Sequence, residues 1–119
     1  MDHILVADDS EDLLEMLSFV FRRQKTSLIT ANSKEALWSQ LNKILPDIIL
    51  LDALFSDTDG RLICKELKQN SQFKNTPVIL MSGNPLLLKD YKEYQADDIL
   101  EKPFLTEELL SKINNFRKN

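Results

Sequence analysis

The residues able to do chemistry in this sequence stand just beyond short apolar runs. Asp8 and Asp9 follow residues 4–7, Asp52 follows 48–51, Ser82 follows 78–81, and Lys102 comes two positions after Leu100. If the fold gathers them, the three carboxylates repel one another, each close pair costing about 4 kcal/mol at about 4 Å and an effective dielectric of about 20. Something cationic must compensate. An all-oxygen site with several carboxylates favours Mg²⁺, a hard octahedral ion that retains part of its water and often bridges to a phosphate. Lys102 adds a second, mobile positive charge. A carboxylate in such surroundings can attack phosphorus to give an acyl phosphate, with metal and ammonium stabilising the equatorial oxygens of the group in transit. Asp52 is the candidate nucleophile because it ends the strand expected to be most buried, where it can be aimed inward; Asp8 and Asp9 suit metal coordination.

Singly, each residue has a plainer reading: Asp8 and Asp9 as acids at a helix N-terminus, Asp52 as a turn former, Ser82 as a cap, Lys102 as a solvated charge. Their weight comes from the elements that must place them together. Apolar runs at residues 4–7, 28–30, 48–51, 78–81 and 99–100 predict five strands, and the segments between and after them predict helices over 10–23, 34–44, 61–70, 85–94 and 107–117. In the first helix Leu13, Leu17, Val20 and Phe21 share one face at about 3.6-residue spacing. Ser10, Ser33, Asn84 and Thr106 are the expected N-caps, and Pro85 suits a first helical position. Strict alternation of strand and helix implies parallel strands, right-handed crossovers and helices on both faces. The expected fold is α/β, a doubly wound five-stranded parallel sheet of (βα)5 form, with the uninterrupted Ile48-Ile49-Leu50-Leu51 at its centre. Such sheets bind ligands beyond the carboxyl ends of their strands, near the reversal of strand order, and there the five residues would meet.

The 119 residues are 43% hydrophobic and 29% charged, which suits one domain and one core over 1–119. Net charge is -4 with no dense Lys/Arg stripe, so nucleic acid is not an expected partner of this domain. No stretch approaches the roughly 18 apolar residues of a membrane span, and the start lacks the basic region of a signal peptide. The lone Cys64 is expected in the core and fits a reducing, cytoplasmic setting. A nucleotide or flavin binder of this fold would want a glycine-rich phosphate loop, and the chain has only two glycines.

Asp8-Asp9-Ser10, Leu51-Asp52 followed by Asp59-Gly60, Met81-Ser82-Gly83, and Ala96-Asp97-Asp98 leading to Lys102-Pro103-Phe104 together resemble the receiver domains of response regulators, in order and over essentially the whole chain. The resemblance implies a flavodoxin-like fold of the chemotaxis-regulator kind, with Asp52 as phosphoacceptor in a two-component system or phosphorelay. It implies Mg²⁺ held by Asp9, Asp52 and the backbone carbonyl of Leu54, with Asp8 acting partly through water. Ser82 would hydrogen-bond a phosphoryl oxygen, Lys102 would pair with the phosphoryl group, and the Lys102–Pro103 peptide would be cis. The implied donor is a phosphohistidine on a sensor histidine kinase or a histidine phosphotransfer protein. The chain would catalyse only its own phosphorylation and dephosphorylation. The face made by the fourth helix, fifth strand and fifth helix is the expected surface for an output partner or a homodimer, since Leu86, Leu87 and Leu88 cannot all turn inward.

Some positions depart from the family pattern. Ser56 stands where Pro is common, so the loop over 53–59 is expected to be less rigid. Gln95 replaces a common Gly, so the turn into the fifth strand is expected to avoid positive φ. Ile99 replaces the aromatic residue that usually rotates inward, so the signal is expected to leave through loops and the fourth helix. That loss keeps open a second reading, a receiver-like interaction module working without phosphorylation. Leu54, above the acceptor, is expected to limit attacking water and prolong the phosphoform. Phe19 lies off the apolar face of the first helix, with partial burial by neighbours expected ahead of a donor-docking role, and Trp38 is expected to pack on a flank.

Overall fold

Successive residues of a strand face opposite sides of its sheet, so the sequence sorts its own core into two layers. The computed structural model describes residues 3–117. In chain order the elements are β1 (His3–Ala7), α1 (Glu11–Arg23), β2 (Ser27–Ala31), α2 (Lys34–Leu41), β3 (Ile48–Asp52), the short β4 (Leu54–Phe55) and β5 (Thr58–Asp59), α3 (Gly60–Gln69), β6 (Val78–Ser82), β7 (Asp98–Glu101) and α4 (Thr106–Asn114). Leu5, Ile49, Leu51, Val78 and Leu80 meet Leu37, Leu41, Ile63 and Leu67 of α2 and α3 in one layer. Ile4, Val6, Leu50, Ile79 and Met81 meet Leu17, Phe21, Leu109 and Ile113 of α1 and α4 in the other.

The five long strands form one parallel sheet in the order β2-β1-β3-β6-β7. This is the flavodoxin-like doubly wound arrangement, with the fully buried β3 in the middle. Strand order reverses at β1 and β3, so the residues following these two strands come out side by side. Cys64 is fully buried in the α2–α3 layer, and that burial pushes its thiol pKa up to about 12. Trp38, half-buried on α2, packs edge-on to Phe73 with ring centroids 6.3 Å apart. No helix among the described residues is long and apolar enough to cross a membrane.

Helix starts follow side-chain chemistry. Ser10 accepts from the Leu13 N–H at 3.2 Å and Ser33 from the Ala36 N–H at 3.1 Å, each satisfying a donor left open at a helix start. Thr106 is not the cap of α4 but its first residue, after Leu105, and that helix ends at Asn114, short of 117. Asp59 caps α3 by accepting from the Arg61 N–H, and it holds the Arg61 guanidinium through both oxygens at 3.0 Å. Gly60, the first residue of α3, lies so close to β3 that a Cβ there would stand 1.9 Å from the Asp52 carbonyl oxygen.

The segment expected as a fourth α-helix is instead two 3₁₀ turns, Pro85–Leu87 and Tyr91–Tyr94. Asn84 caps the first through the Leu86 N–H as a helix cap would. Beyond it, Leu88, Tyr91 and Tyr94 recur every three residues, which matches a 3₁₀ repeat of about 3 residues per turn better than an α-helix. Leu88 is buried, Leu87 is half-buried and Leu86 remains 72% exposed, so the three leucines do divide between core and surface. Phe19 also stays out, 59% exposed beneath the Arg23 guanidinium.

Gln95 overturns the expectation of a turn without positive φ. It adopts φ 66, with its N–H bonded to the Lys92 carbonyl and that of Ala96 to the Tyr91 carbonyl. This pair of bonds is a Schellman ending, whose next-to-last position must be left-handed. The same motif ends α1, where Lys25 has φ 57 and the Lys25 and Thr26 N–H groups bond the Arg22 and Phe21 carbonyls.

Left-handed L-residues cost about 1 kcal/mol each, so Lys25→Gly and Gln95→Gly should each raise unfolding free energy by about 0.5–1 kcal/mol in urea titrations, additively. Gly60→Ala should lower it by about 3 kcal/mol, because the obstacle to its methyl group is backbone; a loss below about 1 kcal/mol would show that α3 is free to slide.

Candidate functional site

Parallel strands deliver the residues that follow them to one edge of the sheet. Asp8 emerges from β1, and its carboxylate is fixed by the Ser10 N–H at 2.9 Å as the chain turns into α1. Asp52 ends β3, with one carboxylate oxygen accepting the Leu54 N–H at 3.2 Å. Asp8 is fully buried and Asp52 nearly so, while Asp9 is exposed. Carboxylate oxygens of Asp8, Asp9 and Asp52 lie within 4.8 Å of one another. Lys102 leaves β7 and reaches back to both buried acids, 2.6 Å from Asp8 and 3.2 Å from Asp52. Its own N–H is bonded to the Ser82 carbonyl at 2.8 Å, so β6 helps to place it.

Burial, followed by the nearby charge of Asp8, pushes the Asp52 pKa up to about 6; the Lys102 charge and the Leu54 N–H pull the other way. Burial works against the Lys102 ammonium, but the Asp8 hydrogen bond and the two negative charges hold its pKa above the ordinary lysine value. The site is therefore a partly compensated negative pocket in which one acid sits near its ionisation point. Oxygen-only donors gathered this tightly suit a hard divalent cation.

The structure brings together Asp8, Asp9, Asp52 and Lys102. Ser82 lies at the same edge, 5% exposed, and at present its hydroxyl accepts the Asn84 N–H at 3.0 Å. Leu54 sits two residues beyond Asp52 with its side chain 56% exposed. The Lys102–Pro103 peptide is cis. Asp97 and Asp98, by contrast, serve the scaffold: Asp97 accepts the Val78 N–H and pairs with Lys68 at 2.6 Å, and Asp98 pairs with Lys112 at 3.3 Å. Ile99 is half-buried against the α2–α3 layer.

The loop expected to be less rigid is a closed hairpin. β4 and β5 pair antiparallel, Phe55 opposite Thr58, around the two-residue turn Ser56-Asp57. The Ser56 N–H donates to Asp9 at 2.7 Å and its hydroxyl to the Asn32 carbonyl at 2.6 Å. Nothing in Phe55-Ser56-Asp57-Thr58 carries the Asn-Gly signature of a tight hairpin, so the sequence pattern passes over this element.

A family model described as the response regulator receiver domain matches residues 4–114. The chain is 32% identical over 112 residues to the protein PilG of Pseudomonas aeruginosa, covering 92% of this chain and 83% of that protein. It is 31% identical over 112 residues to the phosphate regulon transcriptional regulatory protein PhoB of Escherichia coli, again over 92% of this chain but only 49% of PhoB, so it spans about half the length of that relative. Among solved structures, the Vibrio cholerae chemotaxis protein CheY4 superposes with a TM-score of 0.89 at 25% identity, covering 98% of this chain and 99% of the other. The sheet order, the acidic edge and these matches agree, and the chain belongs to the response regulator receiver domain family.

Proposed function

We propose that residues 1–119 act as one phosphoacceptor unit in which Asp52 takes a phosphoryl group from a phosphohistidine on a sensor histidine kinase or a histidine phosphotransfer protein. The observation that carries this reading is the buried Asp52 carboxylate, 3.2 Å from the Lys102 ammonium and within 4.8 Å of two further acids. In the transfer, an Asp52 oxygen bonds to phosphorus as the phosphorus–nitrogen bond breaks and the imidazole nitrogen keeps the electron pair. With a pKa of about 6, Asp52 is mostly ionised at neutral pH and retains its nucleophilic lone pairs. Lys102 is placed to follow the new charge, and Ser82 has a hydroxyl proton free to donate to a phosphoryl oxygen while it accepts from Asn84.

Asp8, Asp9, Asp52 and the Leu54 carbonyl would hold Mg²⁺, which when bound supplies positive charge to offset the carboxylates and the incoming phosphate. The chain acts on no other substrate, catalysing only its own phosphorylation and dephosphorylation, and it works in the cytoplasm without touching nucleic acid or membrane. With Ile99 in place of an aromatic switch, output leaves through the Pro85–Tyr94 segment, β7 and α4, the face for an output partner or a second copy. Exposed Leu86 and the 3₁₀ character of the segment favour that route, since short 3₁₀ turns are held by fewer bonds than an α-helix.

Intact mass after incubation with acetyl phosphate should show a phosphoryl adduct that requires Mg²⁺ and disappears in Asp52→Asn. An adduct persisting in that variant would move the acceptor elsewhere, and none in the native chain with a phosphohistidine donor would remove the reading. Burial pushes the Asp52 pKa up to about 6 in the folded chain, above its ordinary value of 3.8, so the folded chain holds this proton more tightly. The stability it contributes is present below the unfolded pKa and is lost as pH rises through about 6. Asp52→Asn should therefore be more stable than the native chain at pH above 7, by about 1–2 kcal/mol after allowing for the lost Lys102 pairing, and should lose that advantage towards pH 4. Urea unfolding at both pH values without Mg²⁺ decides it.

A further inference from the structure

We propose that Ser56, through its backbone N–H, is a positioning residue for the Asp9 carboxylate in the cation site; the inference rests on the function proposed above. Each of the three acids accepts one backbone N–H: Asp8 from Ser10, Asp52 from Leu54, and Asp9 from Ser56. The first two bonds are local, spanning two residues, and form wherever the chain turns that way. The third joins residues 47 apart in sequence at 2.7 Å, so it exists only because the hairpin is folded over the site. Leu54 and Ser56 alternate along the same stretch, which aligns one N–H with the acceptor strand's acid and the next donor with the acid that follows β1.

The turn that aims Ser56 is strained. A two-residue hairpin turn with both φ positive is of the I′ kind, for which Gly or Asn is the usual choice, yet here Ser56 has φ 48 and Asp57 φ 57. The left-handed conformation costs about 1 kcal/mol or more for each such residue, so something outside the turn must hold it. Two bonds do so: the Ser56 N–H to Asp9, and the Ser56 hydroxyl to the Asn32 carbonyl at 2.6 Å in the loop after β2. Asp9 has more need of this than its neighbours. It is exposed, it does not touch Lys102, and among the described residues Ser56 is the donor its carboxylate has. An exposed carboxylate held by one fixed donor keeps its remaining lone pairs turned toward the other two acids, and outer bonds of this type are worth about 10–100-fold in metal affinity. Because Asp9 is solvent-accessible, we expect the lower end of that range.

The test is an Mg²⁺ titration of the full chain followed by backbone amide NMR. Ser56→Gly keeps the N–H and accepts the positive φ, and should bind Mg²⁺ within about twofold of the native chain. Although proline is common at this position in the family, this chain's hairpin places Ser56 at φ 48 with its N–H on Asp9, so Ser56→Pro, which has no N–H and cannot adopt positive φ, should bind about tenfold more weakly. In an Asp9→Ala background Ser56→Pro should cause no further loss, because its effect runs through Asp9. Native-like Mg²⁺ affinity in Ser56→Pro, or an equal loss with Asp9 absent, overturns the inference. Should the proline variant not fold, amide exchange decides: the Ser56 N–H should be protected in the native chain and exposed in Asp9→Ala, and rapid exchange in the native chain refutes the bond. A native chain with a protected Ser56 amide but no Mg²⁺ response would instead refute the cation site.

Discussion

Lys102 Nζ lies 2.6 Å from one buried carboxylate and 3.2 Å from another, and the packing around it serves to keep that contact. Two anions cannot share a small volume shielded from water unless a cation stands between them, because removing either from water costs several kcal/mol. Lys102 is fixed through the Ser82 carbonyl, Asp8 through Ser10, and Asp52 through Leu54. Each bond depends on a strand ending at the right height. Parallel pairing of β1, β3, β6 and β7 with matched register supplies those heights, and two apolar layers, one on each face, fix the register because a one-residue slip would turn every core side chain into the opposite layer, whose packing it does not fit.

Acids in this chain divide by what surrounds them. Asp97 and Asp98 occur in tandem as Asp8 and Asp9 do, but each pairs with a lysine from a neighbouring helix and braces the sheet. Asp59 is consumed by the α3 cap and by Arg61, whose guanidinium also stacks 5.1 Å from the Tyr94 ring. That stack links the hairpin beside the acceptor to the 3₁₀ segment on the far side of α3, and so joins the site to the face proposed for output.

Much of this was legible in the sequence because it is encoded by periodicity. Five apolar runs gave five strands, and polar residues just past four of them converge as the doubly wound order requires. What escaped was governed by long-range contacts, or by a three-residue spacing that a helical reading passes over. Asn84-Pro85 followed by leucines has every mark of a helix start, yet the spacing of Leu88, Tyr91 and Tyr94 suits the tighter turn. Gln95 was expected to avoid a conformation that two backbone hydrogen bonds impose on whatever residue stands there. The hairpin at Ser56-Asp57 lacks a turn signature because its support comes from Asp9 and Asn32, far away along the chain.

The sole tryptophan has a bearing on how this molecule can be watched. Trp38 rests edge-on against Phe73, in the connection that enters β6 from its amino end, whereas the carboxylates lie past the opposite ends of the strands. Its emission therefore senses whether α2 is docked on the α3–β6 connection, and it has no direct line to ion or phosphoryl chemistry. Tryptophan emission in this chain is thus a report on the packing of the α2 side of the fold and not on the state of the carboxylates.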